Sequence, residues 1–273
     1  MLCCSTTEYP YNQLSRSLSP HQQGQGLFSA DLSCHTEITI CLLTLAGDVM
    51  IKGIFWDNDG VLVDTEHLYF AASRHALNLV GIELSLAQFT HLTLDLGRSP
   101  LCLASEKGIS EDALKTLRQH KNQRYAELLQ KGVAIMDGAA ETLATLHGKV
   151  TMAIVTSSRR DHFDLIHRNN GLLSFFDFIL TREDYLHSKP NPEPYLKALK
   201  LSGLLAEECL VIEDTRRGLE AAHQAGLRCV VMPNRLTPDN TFEDAFGVIC
   251  ELQEITQLVL AENGSATTPL PIS

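Results

Sequence analysis

The sequence has no excess of positive charge: among 273 residues, 22 Lys and Arg stand against 33 Asp and Glu, a formal net charge of −11. That is the wrong sign for a protein whose main task is gripping nucleic acid or an anionic membrane surface. Long apolar runs are also missing near the start, where residues 38 to 46 form a stretch of nine broken by threonines. Crossing a bilayer takes roughly 20. No Lys or Arg directly precedes that run, in Cys34-His35-Thr36-Glu37, so it does not read as a secretory signal. Eight cysteines are present, yet no two share the two-residue spacing of a zinc knuckle or redox motif. A chain this long needs no disulfide framework, and they read as reduced thiols in a cytoplasmic protein. None of the eleven histidines forms a metal-like pair on a helix, which leaves them surface or supporting roles.

What is there suffices for a folded enzyme: 44% hydrophobic residues can bury a core. The first 49 residues stand apart, rich in Ser, Thr and Gln and without helical or strand periodicity. They are expected to be a disordered or dispensable extension. From Met50 onward, short β-branched runs alternate with amphipathic stretches. Strands are expected at Ile51 to Trp56, Val150 to Val155, Phe178 to Leu180, Cys209 to Ile212 and Cys229 to Met232. Strands alternating with helices imply a parallel, doubly wound α/β sheet, a Rossmann-like core.

Residues 65 to 135 break the alternation with several helical stretches, of which Ser110 to Gly132 is the clearest. Ser110 is its expected N-cap, and Leu114, Leu117, Tyr125, Leu128 and Leu129 mark one face. The expected layout is therefore an α/β core over 50–64 and 136–260, an inserted helical cap over 65–135, and a flexible tail over 261–273. The cap carries eight basic and seven acidic residues, so most of the negative charge falls on the core.

Four clusters could carry chemistry, each at the end of an expected strand. Asp57-Asn58-Asp59-Gly60 follows the first, where residues two apart face the same side. Carboxylates there can hold Mg²⁺ or act as nucleophile and acid or base. Thr156-Ser157-Ser158 offers hydroxyls and backbone N–H groups to phosphate oxygens. Lys189-Pro190-Asn191-Pro192 sets an ammonium before a stiffened turn, and Glu213-Asp214-Thr215 adds two more acids at the same sheet edge. Taken singly, each has an ordinary reading as an acidic turn, a helix cap, a loop lysine or a complement to a helix dipole. Together they bring acid pair, hydroxyl, lysine and acid pair to successive strand ends.

This text, from Phe55-Trp56-Asp57-Asn58-Asp59-Gly60 through Thr65-Glu66, Val155-Thr156-Ser157-Ser158, Ser188-Lys189-Pro190 and Val211-Ile212-Glu213-Asp214-Thr215 to Ala225-Gly226, resembles the haloacid dehalogenase superfamily. The resemblance is to its phosphatase and β-phosphoglucomutase-like group, in which a helical cap follows the first strand. It implies Asp57 as a nucleophile that becomes an aspartyl phosphate, and Asp59 as the acid and base. Thr156 and Lys189 complete the catalytic set, with Ser157, Ser158, Thr65, Asn191 and, from the cap, Arg98 as phosphate or substrate contacts. Mg²⁺ is implied on Asp57, the backbone carbonyl of Asp59, and Asp214, with Glu213 beside it.

An Asp at 59 separates phosphate-ester chemistry from the dehalogenating and phosphonate-cleaving branches. Tyr69 stands where the sugar phosphomutases of the group carry histidine, which weighs against a mutase. Asn58, where an apolar residue is common, and Asp137 before Gly138, where proline is common, depart from the pattern and are expected to take no part in the chemistry. The expected function is thus a Mg²⁺-dependent phosphatase of a small phosphorylated metabolite, a monomer or weak homodimer. The rivals are a sugar phosphomutase and a non-catalytic regulator.

Overall fold

The computed structural model of the chain describes residues 50–234, 236 and 242–265; the extension expected over 1–49 lies outside the described residues. In chain order the elements are β1 (Gly53–Trp56), β2 (Val63–Asp64), α1 (Glu66–Asn78), α2 (Leu86–Thr90) running into a π-helical turn (His91–Asp95), α3 (Cys102–Glu106), α4 (Glu111–Leu129) and β3 (Ala134–Ile135). There follow α5 (Ala139–Leu146), β4 (Thr151–Val155), α6 (Arg160–His167), β5 (Phe178–Leu180), α7 (Glu193–Ser202), β6 (Cys209–Glu213), α8 (Arg216–Gln224), β7 (Arg228–Val231), β8 (Gly247–Val248) and α9 (Gln253–Ser265).

Six strands form one sheet in the order β5-β4-β1-β6-β7-β8, with every pairing parallel. Strand side chains alternate between its faces and build two separate cores. Ile54, Trp56, Met152, Ile154, Leu210 and Ile212 pack on one face, and Phe55, Ala153, Val155, Val211 and Val231 on the other. Burial on both faces explains why these strands read as unbroken apolar runs. Because β1 lies between β4 and β6, the chain leaves it on one side and returns on the other. Such a reversal opens a crevice at the strands' carboxyl ends.

The chain leaves and re-enters the sheet layer through β2 and β3, which pair antiparallel with Val63 opposite Ile135 and Asp64 opposite Ala134. Two residues each are too short to show a period of two in the sequence. The intervening helices have their own apolar cluster, including Ala76, Leu77, Phe89, Leu101, Leu114 and Leu117. Helix α4 begins as its sequence suggests: the Ser110 hydroxyl accepts the Ala113 N–H at 3.4 Å, a cap of the kind that contributes about 1 kcal/mol.

The tail expected from 261 requires correction, because α9 continues to Ser265. Buried Glu262 receives the Arg228 guanidinium at 2.9 and 3.0 Å. The Asn263 side chain bonds both the N–H and the carbonyl of Ile51, at 2.8 and 3.0 Å. These contacts tie the last described turn to the start of β7 and the entry of β1, long-range ties that local composition does not show.

Candidate active site

Three strands deliver their next residues to one place. Asp57 follows β1, and its N–H donates to the Ile212 carbonyl at 2.9 Å, which extends the β1–β6 ladder up to the carboxylate. Glu213 closes β6 and Asp214 follows it, while Thr156 follows β4. The Lys189 ammonium sits among them, donating to Asp57 Oδ1 at 2.7 Å, Glu213 Oε1 at 2.6 Å and the Val155 carbonyl at 2.8 Å. All three of its protons are thus used. Burial alone disfavours this ammonium, but Asp57 and Glu213 outweigh it and hold its pKa above the ordinary lysine value.

The acids outnumber that cation. Asp57, Glu213 and Asp214 are buried and bring carboxylate oxygens within 4.8 Å of one another. Burial, offset in part by Lys189 and reinforced by Glu213 and Asp59, pushes the Asp57 pKa up to about 7. Burial and then Asp57 and Glu213 raise Asp214 well above the carboxylate range. A further positive charge would relieve both. An oxygen-only carboxylate set of this kind suits a hard dication such as Mg²⁺.

The backbone makes room for these groups at two glycines. Gly60 adopts φ +84°, and a Cβ there would lie 2.1 Å from Asp214 Oδ2. A Cβ on Gly218 would fall 1.8 Å from the carboxyl carbon of Glu213. Glu213 is held further by the Tyr195 hydroxyl at 2.6 Å and the Thr215 hydroxyl at 3.3 Å. Asp214 Oδ2 receives the Asn234 side-chain amide at 2.5 Å.

Asp59 is held differently. Its Oδ1 accepts the Thr65 hydroxyl at 2.5 Å, and its Oδ2 accepts Ser158 Oγ at 2.7 Å, Thr156 Oγ1 at 3.2 Å and Asn58 Nδ2 at 3.3 Å. Thr156 and Ser158, expected beside a phosphate, here point at this second carboxylate. The Tyr185 hydroxyl anchors the Thr156 carbonyl at 2.7 Å.

These groups floor a cavity of about 370 Å³ whose opposite wall is the helical insertion. Asp57, Asp59, Thr65, Thr156, Ser157, Ser158, Lys189, Glu213 and Asp214 all line it, as does Arg98, whose guanidinium also pairs with Glu106 at 3.1 Å. Asn191 requires correction. It is exposed and outside the lining, and its side-chain oxygen accepts the Glu193 N–H at 2.9 Å where α7 begins. The proline-rich turn that presents Lys189 inward turns Asn191 outward.

Sequence reasoning passed over several lining residues, notably Lys121, His162, Arg182 and Arg217. Lys121 is buried, donates to the Tyr69 hydroxyl at 2.7 Å and sits 4.4 Å from that ring's centre. A signal for it existed, since position 121 falls on the apolar stripe of α4 with Leu114, Leu117 and Tyr125. Arg217 had none, because it reaches the site by packing from α8 against the loop at Gly97.

The haloacid dehalogenase-like hydrolase profile matches residues 54–232, which include Asp57, Asp59, Lys189, Glu213 and Asp214. The chain belongs to this family. It is 29% identical over 206 residues to protein CbbY of Rhodobacter capsulatus, across 71% of this chain and 91% of the relative. It is 28% identical to a phosphorylated carbohydrates phosphatase of Thermotoga maritima, across 65% and 82%. Among solved structures, β-phosphoglucomutase from Clostridium difficile shares the fold, with a TM-score of 0.67, 22% identity, and coverage of 80% of this chain and all of that one. The α/β core and inserted helices described here are thus those of a haloacid dehalogenase-like enzyme.

Proposed function

We propose that this enzyme is a Mg²⁺-dependent phosphatase that hydrolyses a small phosphorylated metabolite through an aspartyl phosphate on Asp57. One observation carries the reading: Asp57 is paired at 2.7 Å with a buried lysine and stands in the acid group with Glu213 and Asp214. The oxygen donors fit Mg²⁺, with Asp57, Asp214 and the backbone carbonyl of Asp59 as its holders and Glu213 beside them. The bound ion would supply positive charge against the phosphoryl oxygens.

The protein's own residues then divide the work. The Asp57 carboxylate attacks phosphorus and the bond to the leaving oxygen breaks. Asp59 gives its proton to that oxygen. Lys189 neutralises negative charge gathering at the phosphoryl group, with Thr156, Ser157 and Ser158 at the adjacent strand end. A water then attacks phosphorus and loses its proton to Asp59; the bond from phosphorus to the Asp57 oxygen breaks, releasing phosphate. Positioning and charge neutralisation supply most of the acceleration in such transfers.

The named activity of the Thermotoga relative supports a phosphorylated carbohydrate as substrate class. Tyr69, which meets Lys121 rather than presenting an imidazole to the site, supports hydrolysis over return of the group to a sugar. Purified enzyme should release phosphate from 4-nitrophenyl phosphate only with Mg²⁺, and Asp57→Asn should abolish release. Activity in excess chelator or in that variant would refute the reading. Conversion of a sugar 1-phosphate to its isomer without free phosphate would favour the mutase.

A further inference from the structure

We propose that Asn58 and His167 are a positioning pair that fixes which oxygen of Asp59 exchanges the proton. The inference rests on the reading above that Asp59 is the acid and base. Asn58, expected to stand outside the chemistry, is fully buried between the two site aspartates, and its side chain reaches both Asp59 and α6.

The direction of the hydrogen bonds can be worked out atom by atom. His167 Nε2 lies 2.7 Å from Asn58 Oδ1, which can only accept, so Nε2 carries the hydrogen. On a neutral ring Nδ1 is then an acceptor, and Asn170 Nδ2 supplies its donor at 3.0 Å. The Asn170 oxygen in turn accepts the Leu172 N–H at 3.2 Å, which sets the orientation of that amide. Burial, which lowers the His167 pKa, agrees with a neutral ring. Donors therefore run one way, from the Leu172 backbone through Asn170, His167 and Asn58 to Asp59 Oδ2.

The consequence lies in what can rotate. Thr65, Thr156 and Ser158 reach Asp59 through hydroxyls, each able to turn from donor to acceptor. The Asn58 amide cannot, because His167 holds its oxygen. Its N–H stays aimed at Oδ2 at 3.3 Å, a long contact but one that cannot reverse. Asp59 Oδ2 is thereby kept an acceptor, and Oδ1, whose partner is the reversible Thr65 hydroxyl, is the oxygen that gives and takes the proton.

The test is the dependence of kcat/KM on leaving group, across a series from 4-nitrophenyl phosphate to phenyl phosphate. In this double-displacement scheme kcat/KM reports the transfer to Asp57 alone. A good leaving group needs little protonation and a poor one needs much. Asn58→Leu and His167→Leu should each leave 4-nitrophenyl phosphate within about 3-fold of the parent while lowering phenyl phosphate by about 10-fold or more. His167→Gln, whose amide nitrogen can take the place of Nε2, should restore the parent slope. The double variant Asn58→Leu/His167→Leu, which removes both polar partners of the buried bond, guards against a folding failure in either single change. It should match the singles rather than compound them.

A parallel fall for all leaving groups, an unchanged slope in the double variant, or a slope in folded His167→Gln as steep as in His167→Leu would overturn the proposal. Asp59→Asn separates this from the underlying reading. If that variant keeps the shallow parent slope, the assignment of Asp59 has failed; if it steepens while the Asn58 and His167 variants do not, only the pair has.

Discussion

The two walls of the cavity are built by different means. The floor comes from residues at the ends of β1, β4 and β6 together with Lys189, tied by bonds from Lys189 to Asp57 and Glu213 and from Thr156 to Asp59. The opposite wall comes from helices α1 and α4 and the loop around Gly97-Arg98-Ser99, whose polar groups bond mainly to their own wall: Lys121 to Tyr69 and Arg98 to Glu106. A floor whose carboxylates are already held by fixed donors, with room for one more positive charge, is preorganised for one charge distribution. A wall whose polar groups turn mainly to partners of their own side can hold different leaving groups over the same chemistry, which fits a family whose members act on different substrates.

The sharpest break of this comparison is Asp57→Asn. If the floor alone carries the chemistry, kcat for any accepted phosphate ester should fall on the order of 10⁶-fold, as for the loss of a single nucleophile elsewhere. Steady-state phosphate release measures it. A loss confined to one substrate would mean that Asp57 selects rather than reacts.

Lys189→Met comes next. Removing one partner of a buried ion pair leaves charge without compensation and costs about 3–5 kcal/mol. Here two carboxylates, Asp57 and Glu213, would lose their cation at once. The variant should melt well below the parent without metal, and Mg²⁺ should raise its melting temperature more than it raises the parent's. Equal metal effects in the two proteins would show that lysine and metal do not neutralise the same acids.

The contrast between the walls also explains what the sequence revealed. Asp57, Asp59, Thr156, Glu213 and Asp214 lie beside apolar runs, and a parallel sheet places every strand's end at one edge, so neighbourhood in sequence became neighbourhood in space; Lys189, nine positions past the end of β5, was marked by its proline-rich turn instead. Lys121 carried a partial signal in the apolar stripe of α4, but its convergence with His162 and Arg217 arises from packing between helices, which no short pattern encodes. Asn58 was visible as a departure from the usual apolar residue, yet its partner His167 lies 109 positions away. Asn191 erred the other way: the resemblance implied a substrate contact, but the turn points its side chain away from that of Lys189. Strands β2, β3 and β8, two residues each, carry too little periodicity to be read.

Lys121→Met tests the helical wall by itself. No carboxylate pairs with Lys121 among the described ion pairs, so its ammonium is free to contact the substrate beyond the phosphoryl group. A hydrogen bond to a charged group is worth about 1.5–3 kcal/mol, so KM for a sugar phosphate should rise by roughly 10-fold or more. The rate on 4-nitrophenyl phosphate at saturation should change little. An equal fall in kcat for both would place Lys121 with the floor.

Glu66 tests the junction, and its expected effect is a change of slope rather than of level. It opens α1 directly after Thr65 and lines the cavity between the walls. Burial first, and then Asp59 and Asp57, push its pKa from the ordinary 4.5 up to about 8, with Arg217 opposing. A carboxyl that holds its proton more tightly when folded favours folding while protonated in both states. That advantage is fully present below about pH 4.5 and is lost as pH rises through about 8. Glu66→Gln removes the titration, so metal-free parent and variant should diverge across this window, the parent losing more stability as pH rises. Parallel melting curves from pH 5 to pH 8 would mean that Glu66 titrates as a solvated surface acid, and that floor and wall share less field than the geometry implies.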